Sequence, residues 1–359
     1  KVVWRAAYTW STRIMAIRFM EVNDLLPSRT RMLSANDGSF KPQVLIEALS
    51  VDIEGLDRAR AAELVQGGDD EATFRCLFLA QCAELADCMP DVFEKVGAAM
   101  ELLLPDGLLR EGGVVNRIVT DIPESDWREG VQIVGWMYQY YVSEKKDDYF
   151  ASKRKAAAED IPCATQLFTP EWIVRYLAEN SLGRLWMLNN PQSGLASKMD
   201  YYLAPEGDAG GFLKIESPEE ITVLDPACGS GHILVYAFDL LAAMYEERGY
   251  ARRDIPQLIL EKNLTGIEID PRAAAMASFA LTMKACEYDG RFLRRGVRPC
   301  ITVLGKMELD EEQRRVIADM RHKQERFDAP FLLDQAELLE VLTHLDEVGS
   351  LFEPTSEDM

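Results

Sequence analysis

The chain has 359 residues, of which 48% are hydrophobic and 28% are charged. These globular proportions exclude a disordered, collagen-like or coiled-coil protein, and the length suits two domains of roughly 150 residues each. The formal net charge of −21 disfavours a nucleic-acid-binding surface that is basic throughout. Any such contact must come from a local basic patch or from residues outside this chain.

The N-terminal part of the chain shows helical periodicity and almost no strand pattern. Apolar residues recur near helical spacing over 4–26, and Pro27 follows the last turn. A mixed-charge stretch over 144–160 is typical of a solvated linker or an exposed helix. We therefore predict an all-helical domain over residues 1–160, with further helices at 54–66, 71–88, 91–104 and 127–141.

The pattern changes beyond residues 189–211, a stretch rich in Gly, Pro, Asn and Ser that is typical of a loop. Short apolar strands then alternate with helices. This alternation predicts a parallel sheet with right-handed crossovers. We predict strands at 221–225, 264–269 and 300–304, separated by helices at 231–248 and 271–287.

A glycine-rich segment, 225–234 (DPACGSGHIL), lies between the first strand and the following helix. Parallel sheets bind their ligands at the carboxyl ends of the strands, where this segment begins. Gly229 and Gly231 allow a tight turn and the close approach of a bound group. A dinucleotide fingerprint would have a third glycine where Leu234 stands, and the loop lacks the Gly-Lys-Ser/Thr ending of a phosphate-binding loop. NAD is therefore disfavoured as the ligand.

A carboxylate stands at the end of the second strand, within 266–271 (GIEIDP). Glu268 at this position can accept hydrogen bonds from both ribose hydroxyls of a nucleoside. The neighbouring Ile269 offers an apolar face to the base. Asp270, which precedes Pro271 and an alanine-rich helix, is predicted to be the cap of that helix.

A third segment, 166–174 (QLFTPEWIV), contains a helix start signal. Thr169 suits the N-cap position and Pro170 the first helical position. The same N-terminus could instead bind a carboxylate through its free N–H groups and dipole. The pattern alone supports both interpretations equally.

Together these segments resemble the S-adenosylmethionine-dependent DNA methyltransferases that act on exocyclic amino groups. FTPEWIV is similar to the N-terminal cofactor motif of that family, DPACGSGHIL to its glycine loop and GIEIDP to its ribose motif. The segments RFMEVNDLLPSR, LLLPDGLL and IVGWMYQYYVSEKKDDYF further resemble the PglX-like adenine-specific methyltransferases of BREX phage-defence systems. The resemblance spans residues 4–304.

The resemblance implies an α/β Rossmann-like methyltransferase domain over residues 161–359, with helices on both faces of a parallel sheet, preceded by the all-α domain. It implies S-adenosylmethionine as the cofactor and adenine in double-stranded DNA as the methyl acceptor, with other BREX-system proteins as partners. Glu268 and Ile269 would hold the ribose and adenine of the cofactor. The methionine end would meet Phe168, Thr169, Asp225, Ala227, Gly229 and Gly231.

Two parts of the family pattern are missing. No Asn/Asp/Ser-Pro-Pro-aromatic catalytic loop occurs: 190–193 (NPQS) precedes the glycine loop, and 328–331 (DAPF) follows a helical run. The acid expected after the third strand is also absent, since Gly305 and Lys306 follow Leu304. We therefore assign no catalytic residue. We expect this chain to be inactive alone, with the catalytic loop and the target-recognition domain beyond it.

The remaining sequence features exclude several other classes of protein. No stretch approaches the about 20 apolar residues of a membrane helix, and no signal peptide is recognisable. The seven cysteines and three histidines have no metal-ligand spacing, so we expect reduced thiols in the cytoplasm and no metal site. The chain begins with Lys1 rather than Met, so we expect it to be part of a longer protein.

Two alternative functions share parts of this pattern. The modification part of a type I or restriction-fused methyltransferase would contain the same two central motifs. A non-catalytic scaffold would instead use the acidic segment 307–359, with a net charge of −10, to dock partner proteins. DNA could contact an arginine cluster (Arg291, Arg294, Arg295 and Arg298), but a solvated loop that faces the acidic segment is an equally good interpretation. DNA bases could also stack on four aromatic residues, which we instead predict to pack the helical domain against the sheet (Trp136, Tyr138, Tyr140 and Tyr141).

Overall fold

The computed structural model describes residues 2–95, 97–152, 164, 166, 169–205 and 210–304. Four features named above lie outside the described residues. They are Phe168, the residues that follow Leu304, the 328–331 motif and the acidic segment 307–359.

The chain up to Ser152 forms helices joined by turns. These helices are α1 (Val2–Val22), α2 (Gln43–Ile46), α3 (Arg58–Gly67), α4 (Asp70–Cys88), α5 (Ala98–Glu101), α6 (Val114–Thr120), α7 (Glu124–Glu129) and α8 (Gln132–Ser152). Helix α1 ends where Asp24 adopts φ +57 and the Leu25 N–H donates to the Met20 carbonyl at 2.8 Å. In the described part of the chain, no helix is both long and apolar enough to cross a bilayer.

Two of the predicted helices differ from the structure. The predicted helix over 91–104 is wrong, because only α5 forms within it. Gly97 precedes α5, and Pro105 disfavours helical backbone at the residue before it. The predicted helix over 127–141 is divided between α7 and α8 at Gly130, whose backbone is fully extended (φ 163°, ψ 165°).

The second half of the described chain builds a parallel sheet in the order β1-β2-β3. The strands are β1 (Val223–Asp225), β2 (Leu264–Glu268) and β3 (Cys300–Val303). The helices are α9 (Glu171–Ala178), α10 (Arg184–Asn189), α11 (His232–Glu247), α12 (Ile255–Leu258) and α13 (Pro271–Tyr288). Helices α11 and α12 connect β1 to β2, and α13 connects β2 to β3, so the predicted parallel sheet is confirmed.

The strand register places the ends of all three strands at one edge of the sheet. Asp225, the last residue of β1, pairs with Gly266, and Glu268, the last residue of β2, pairs with Val303. The Leu304 N–H then donates to the Glu268 carbonyl at 2.8 Å. The loops that follow β1 and β2 therefore start side by side.

One hydrophobic cluster joins the N-terminal helices to the helices that cover the sheet. Phe19 of α1 meets Phe279 of α13 edge to face, with ring centroids 6.0 Å apart. Trp127 in α7 and Trp186 in α10 are among the largest fully buried side chains of the same cluster. The helical part and the sheet therefore share a core.

A buried ionic network holds α1 to the segment that follows it. Arg18 and Glu21 are both fully buried, and Arg18 Nη1 donates to Glu21 Oε1 at 2.6 Å and to Ser34 Oγ at 2.8 Å. The second oxygen of Glu21 accepts from the Leu33 N–H at 2.7 Å. Arg18 also reaches Glu124 of α7 at 3.5 Å. Removing one partner would leave the other charge buried and uncompensated.

We expect Arg18→Met to lower the free energy of unfolding by about 3–5 kcal/mol, because Glu21 would lose its buried counter-ion. Urea denaturation followed by circular dichroism measures this change. The matched control is Arg60→Met, which breaks an exposed pair with Glu63 and should cost less than about 1 kcal/mol. Equal effects of the two substitutions would contradict the structural importance of the network.

Candidate functional site

The Glu268 carboxylate links the loops after β1 and β2. Its Oε2 accepts from the Gly229 N–H at 2.7 Å, across the gap between the two strand ends. Its Oε1 accepts from the N–H groups of Ile269 at 2.8 Å and Asp270 at 2.9 Å. Only 7% of the residue is exposed. The carboxylate therefore lies between the two loops at the strand ends.

The hydrogen-bonding capacity of Glu268 is partly used by these contacts. Each carboxylate oxygen has about two acceptor positions. Oε1 fills both with the Ile269 and Asp270 N–H groups, whereas Oε2 uses one for Gly229. One acceptor position of Oε2 is therefore not used by these backbone hydrogen bonds. A ligand that bonds to both carboxylate oxygens would have to replace one of the backbone N–H groups.

The two glycines of the glycine loop have different structural roles. Gly229 has φ +55, and a Cβ added there would meet no atom within 4 Å. The position that a side chain would occupy is therefore open space. Gly231 has φ +84, and a Cβ there would lie 2.9 Å from the Cβ of Ala277 in α13. Gly229 can therefore be approached by a ligand. The need for glycine at 231 comes instead from its left-handed φ and from packing against α13.

The other predicted residues of the glycine loop, Asp225 and Ala227, lie at the end of β1 and just after it. The Ala227 N–H donates to Asp225 Oδ1 at 3.2 Å, and Ala227 itself is exposed. Burial raises the pKa of Asp225. Burial also raises the pKa of the Cys228 thiol to about 12, so that the thiol stays protonated at neutral pH and is unsuited to act as a nucleophile. Ile269, at the tip of β2, is partly exposed beside the crevice.

The predicted N-cap role of Thr169 is wrong. Helix α9 begins at Glu171, and Pro170 occupies the cap position without a side-chain hydrogen bond. Pro170 has ψ 144°, which is extended rather than helical backbone, so Thr169 lies one residue before the cap. The Thr169 backbone instead hydrogen-bonds the side chain of His232, the first residue of α11. Thr169 is thereby attached to the end of the glycine loop.

The predicted cap at Asp270 is confirmed, and the structure adds contacts that the sequence did not reveal. Asp270 Oδ1 accepts from the Arg272 N–H at 3.0 Å and caps α13. Its Oδ2 accepts from the Tyr138 hydroxyl at 2.5 Å and from Gln166 Nε2 at 3.0 Å. Tyr138 lies 132 positions away in the sequence. The aromatic-rich sequence around Tyr138 suggested that this segment is buried. Nothing in that sequence indicated a contact with Asp270.

The aromatic residues predicted to pack against the sheet differ in exposure, and the side chain of Tyr141 lies outside the part of the chain that the structure describes. Tyr138 is buried against α13, as predicted for the aromatic segment. Tyr140 is exposed, so the prediction is wrong for that residue. Trp136 is 43% exposed and lines a cavity of about 460 Å³ together with Thr169 and His232. The cavity therefore lies beside the glycine loop, between α8, α9 and α11.

The arginine cluster is partly neutralised by acids of the same protein. Arg295 pairs with Asp289 at 2.7 Å and with Asp254 at 3.8 Å. Arg298 lies 3.9 Å from Asp91. These internal ion pairs leave Arg295 less available for phosphate binding. The acidic segment that the solvated-loop interpretation requires lies outside the described residues.

Comparisons with known proteins identify related sequences. Residues 214–300 match a family model described as "MmeI, DNA-methyltransferase domain". The chain is 48% identical over 322 residues to the adenine-specific methyltransferase BrxX of Escherichia coli O9:H4 (strain HS), covering 86% of this chain and 26% of that protein. It is 42% identical over 324 residues to the adenine-specific methyltransferase PglX of Lacticaseibacillus casei (strain Zhang), covering 83% and 27%. The chain thus spans about a quarter of the length of these curated relatives.

We expect Gly231→Ala to lower the free energy of unfolding by about 2–4 kcal/mol, because it combines a left-handed φ with overpacking against α13. The urea midpoint checks this expectation. Gly249→Ala is the matched control, since Gly249 has φ +78 and open space around its Cβ position. It should cost only the conformational part, about 1–2 kcal/mol. A Gly231→Ala variant as stable as the control would contradict the close packing of the loop on α13.

Burial lowers the pKa of His232, so the folded protein binds this proton less tightly than the unfolded chain does. The stability that depends on neutral His232 is complete above the unfolded pKa of about 6.5 and is lost as the pH falls below it. We expect His232→Gln to reduce the slope of unfolding free energy against pH between pH 7 and 5, by at most about 1.4 kcal/mol per pH unit. Identical slopes for variant and wild type would contradict the lowered pKa.

Proposed function

We propose that this chain, which is similar to the adenine-specific methyltransferases BrxX and PglX, forms the cofactor-binding part of a DNA adenine methyltransferase of a BREX phage-defence system. The bridge from Glu268 to Gly229 supports this proposal most strongly, because it brings a carboxylate and an open glycine loop together at the ends of two parallel strands. Ligands of such sheets bind at that edge.

The proposed cofactor is S-adenosylmethionine, and three features of the residues at the strand ends support it. Oε2 of Glu268 retains an acceptor position for a ribose hydroxyl. Ile269 is exposed enough to contact the adenine ring, and Gly229 leaves room for the methionine end. The remaining residues assigned to the methionine end are Phe168, Thr169, Asp225, Ala227 and Gly231.

We propose the methylation reaction for the whole protein, since this chain covers only about a quarter of its relatives. When bound, S-adenosylmethionine supplies an electrophilic methyl group on sulfur for transfer to the exocyclic nitrogen of adenine in duplex DNA. The residues of this chain contribute by orienting the cofactor, and positioning alone can account for a large part of such a rate. Most contacts to DNA, and those to other BREX proteins, are assigned to the rest of the protein.

The proposed domain division is a helical N-terminal domain over 1–160 and a Rossmann-like methyltransferase domain over 161–359, with helices on both faces of its sheet. The similarity to BrxX supports a PglX-like protein over a type I or restriction-fused enzyme. The alignment with BrxX covers 322 residues, which is more than the proposed methyltransferase domain over 161–359 contains. The alignment must therefore include part of the N-terminal helices. The MmeI match, in contrast, begins at residue 214.

We expect the 359-residue chain to bind S-adenosylmethionine, and Glu268→Gln to weaken that binding about 10- to 150-fold, as loss of a hydrogen bond to a charged group predicts. Isothermal titration calorimetry measures both affinities. Glu261→Gln is the control, because Glu261 is an exposed carboxylate that accepts from Gln257. Its affinity should equal that of the wild type.

Two results would contradict the proposal. A wild-type chain that does not bind S-adenosylmethionine would remove the cofactor assignment. A folded Glu268→Gln variant with wild-type affinity would remove the ribose assignment alone. Thermal denaturation of each variant shows whether it is folded under the titration conditions.

A further inference from the structure

Helix α8, from the N-terminal part of the chain, contacts both loops of the proposed cofactor site. Gly135 lies against the glycine loop, where an added Cβ would be 2.9 Å from both Ser230 Oγ and His232 Nε2. Tyr138, three residues later on the same face of the helix, reaches the loop after β2 through Asp270. One face of α8 therefore touches the two loops that Glu268 joins.

Tyr138 is anchored tightly at this position. It is 2% exposed, and its hydroxyl donates to Asp270 Oδ2 at 2.5 Å. Burial, followed by the charge of Asp270, raises the pKa of the phenol, so the hydroxyl remains the donor at all physiological pH values. The Tyr8 ring packs edge to face against Tyr138, with centroids 5.7 Å apart.

A continuous series of hydrogen bonds runs from α8 to the glycine loop. Tyr138 binds the side chain of Asp270, the Asp270 N–H donates to Glu268 Oε1 at 2.9 Å, and Glu268 Oε2 accepts from Gly229 at 2.7 Å. Movement of Asp270 would therefore move the carboxylate that faces the ribose. The direct contact of Gly135 with Ser230 and His232 restrains the other loop independently.

We propose that Gly135 and Tyr138 are positioning residues, through which α8 holds both cofactor loops in the geometry that binds S-adenosylmethionine. This inference rests on the proposed function. Neither residue has to touch the cofactor. Their effect is to keep the binding-competent arrangement populated, because affinity falls in proportion to the fraction of molecules in that arrangement. The helical part of the chain is then a component of the cofactor site.

Tyr138→Phe removes the hydroxyl and preserves the ring. We expect the dissociation constant for S-adenosylmethionine to rise about 5- to 50-fold in the 359-residue chain, a shift within the usual range of coupling between sites. Gly135→Ala should raise it as well, because the added methyl group pushes α8 away from the glycine loop. Calorimetry at constant temperature and salt measures each affinity.

Two tyrosine-to-phenylalanine controls separate positioning from general stability. Tyr245→Phe removes a buried hydroxyl that bonds Asn263 at 2.9 Å near the start of β2, at the other end of the sheet from the loops. It should lower the unfolding midpoint and leave the dissociation constant unchanged. Tyr140→Phe alters a side chain of α8 that is 79% exposed and should change neither quantity.

Amide hydrogen exchange provides a readout that does not depend on the cofactor. The N–H groups of Gly229, Ile269 and Asp270 should exchange faster in Tyr138→Phe and at the wild-type rate in Tyr245→Phe. Wild-type affinity and wild-type exchange in a folded Tyr138→Phe variant would overturn the inference. A wild-type chain that fails to bind S-adenosylmethionine would instead overturn the proposed function, and the exchange rates would still decide whether Tyr138 holds the loops.

Discussion

The geometry of the proposed site depends on one carboxylate that joins two loops. Parallel strands place their ends at the same edge, but they do not fix the loops that follow. Glu268 fixes these loops by accepting hydrogen bonds from three backbone N–H groups, two in its own loop and one in the glycine loop. Charge-assisted bonds of this kind are about twice as strong as neutral ones. The distance between the two loops that follow β1 and β2 is therefore fixed even though both strands are short.

The short sheet also explains why the helical part packs so closely on it. Its strands contain three to five residues, and β1 and β3 are each paired to β2 alone within the described chain. Apolar burial must supply most of the stability of such a unit. Phe19, Trp127 and Tyr138 from the N-terminal helices belong to the same cluster as the helices over the sheet. Folding of the two parts is therefore expected to be coupled.

The sequence predicted features that depend on local patterns. The parallel strands, the cap at Asp270 and the place of Glu268 at the end of β2 all follow from spacing and residue type. The errors have local causes as well, since Gly97 and Pro105 restrict α5 and Pro170 displaces Thr169 from the cap. The contact between Tyr138 and Asp270 was not predictable, because periodicity within a helix does not specify a partner in a distant loop.

The same hydrogen bonds indicate which class of ligand the crevice can accept. In a dinucleotide site, the loop N–H groups remain free to bind a pyrophosphate. Here the Gly229, Ala227 and Gly231 N–H groups donate to Glu268, Asp225 and the Cys228 carbonyl. A phosphate would find these donors occupied and would face the two carboxylates directly. The proposed cofactor, S-adenosylmethionine, has a sulfonium and an ammonium group against a single carboxylate, so its net charge is positive and this repulsion is smaller than for NAD.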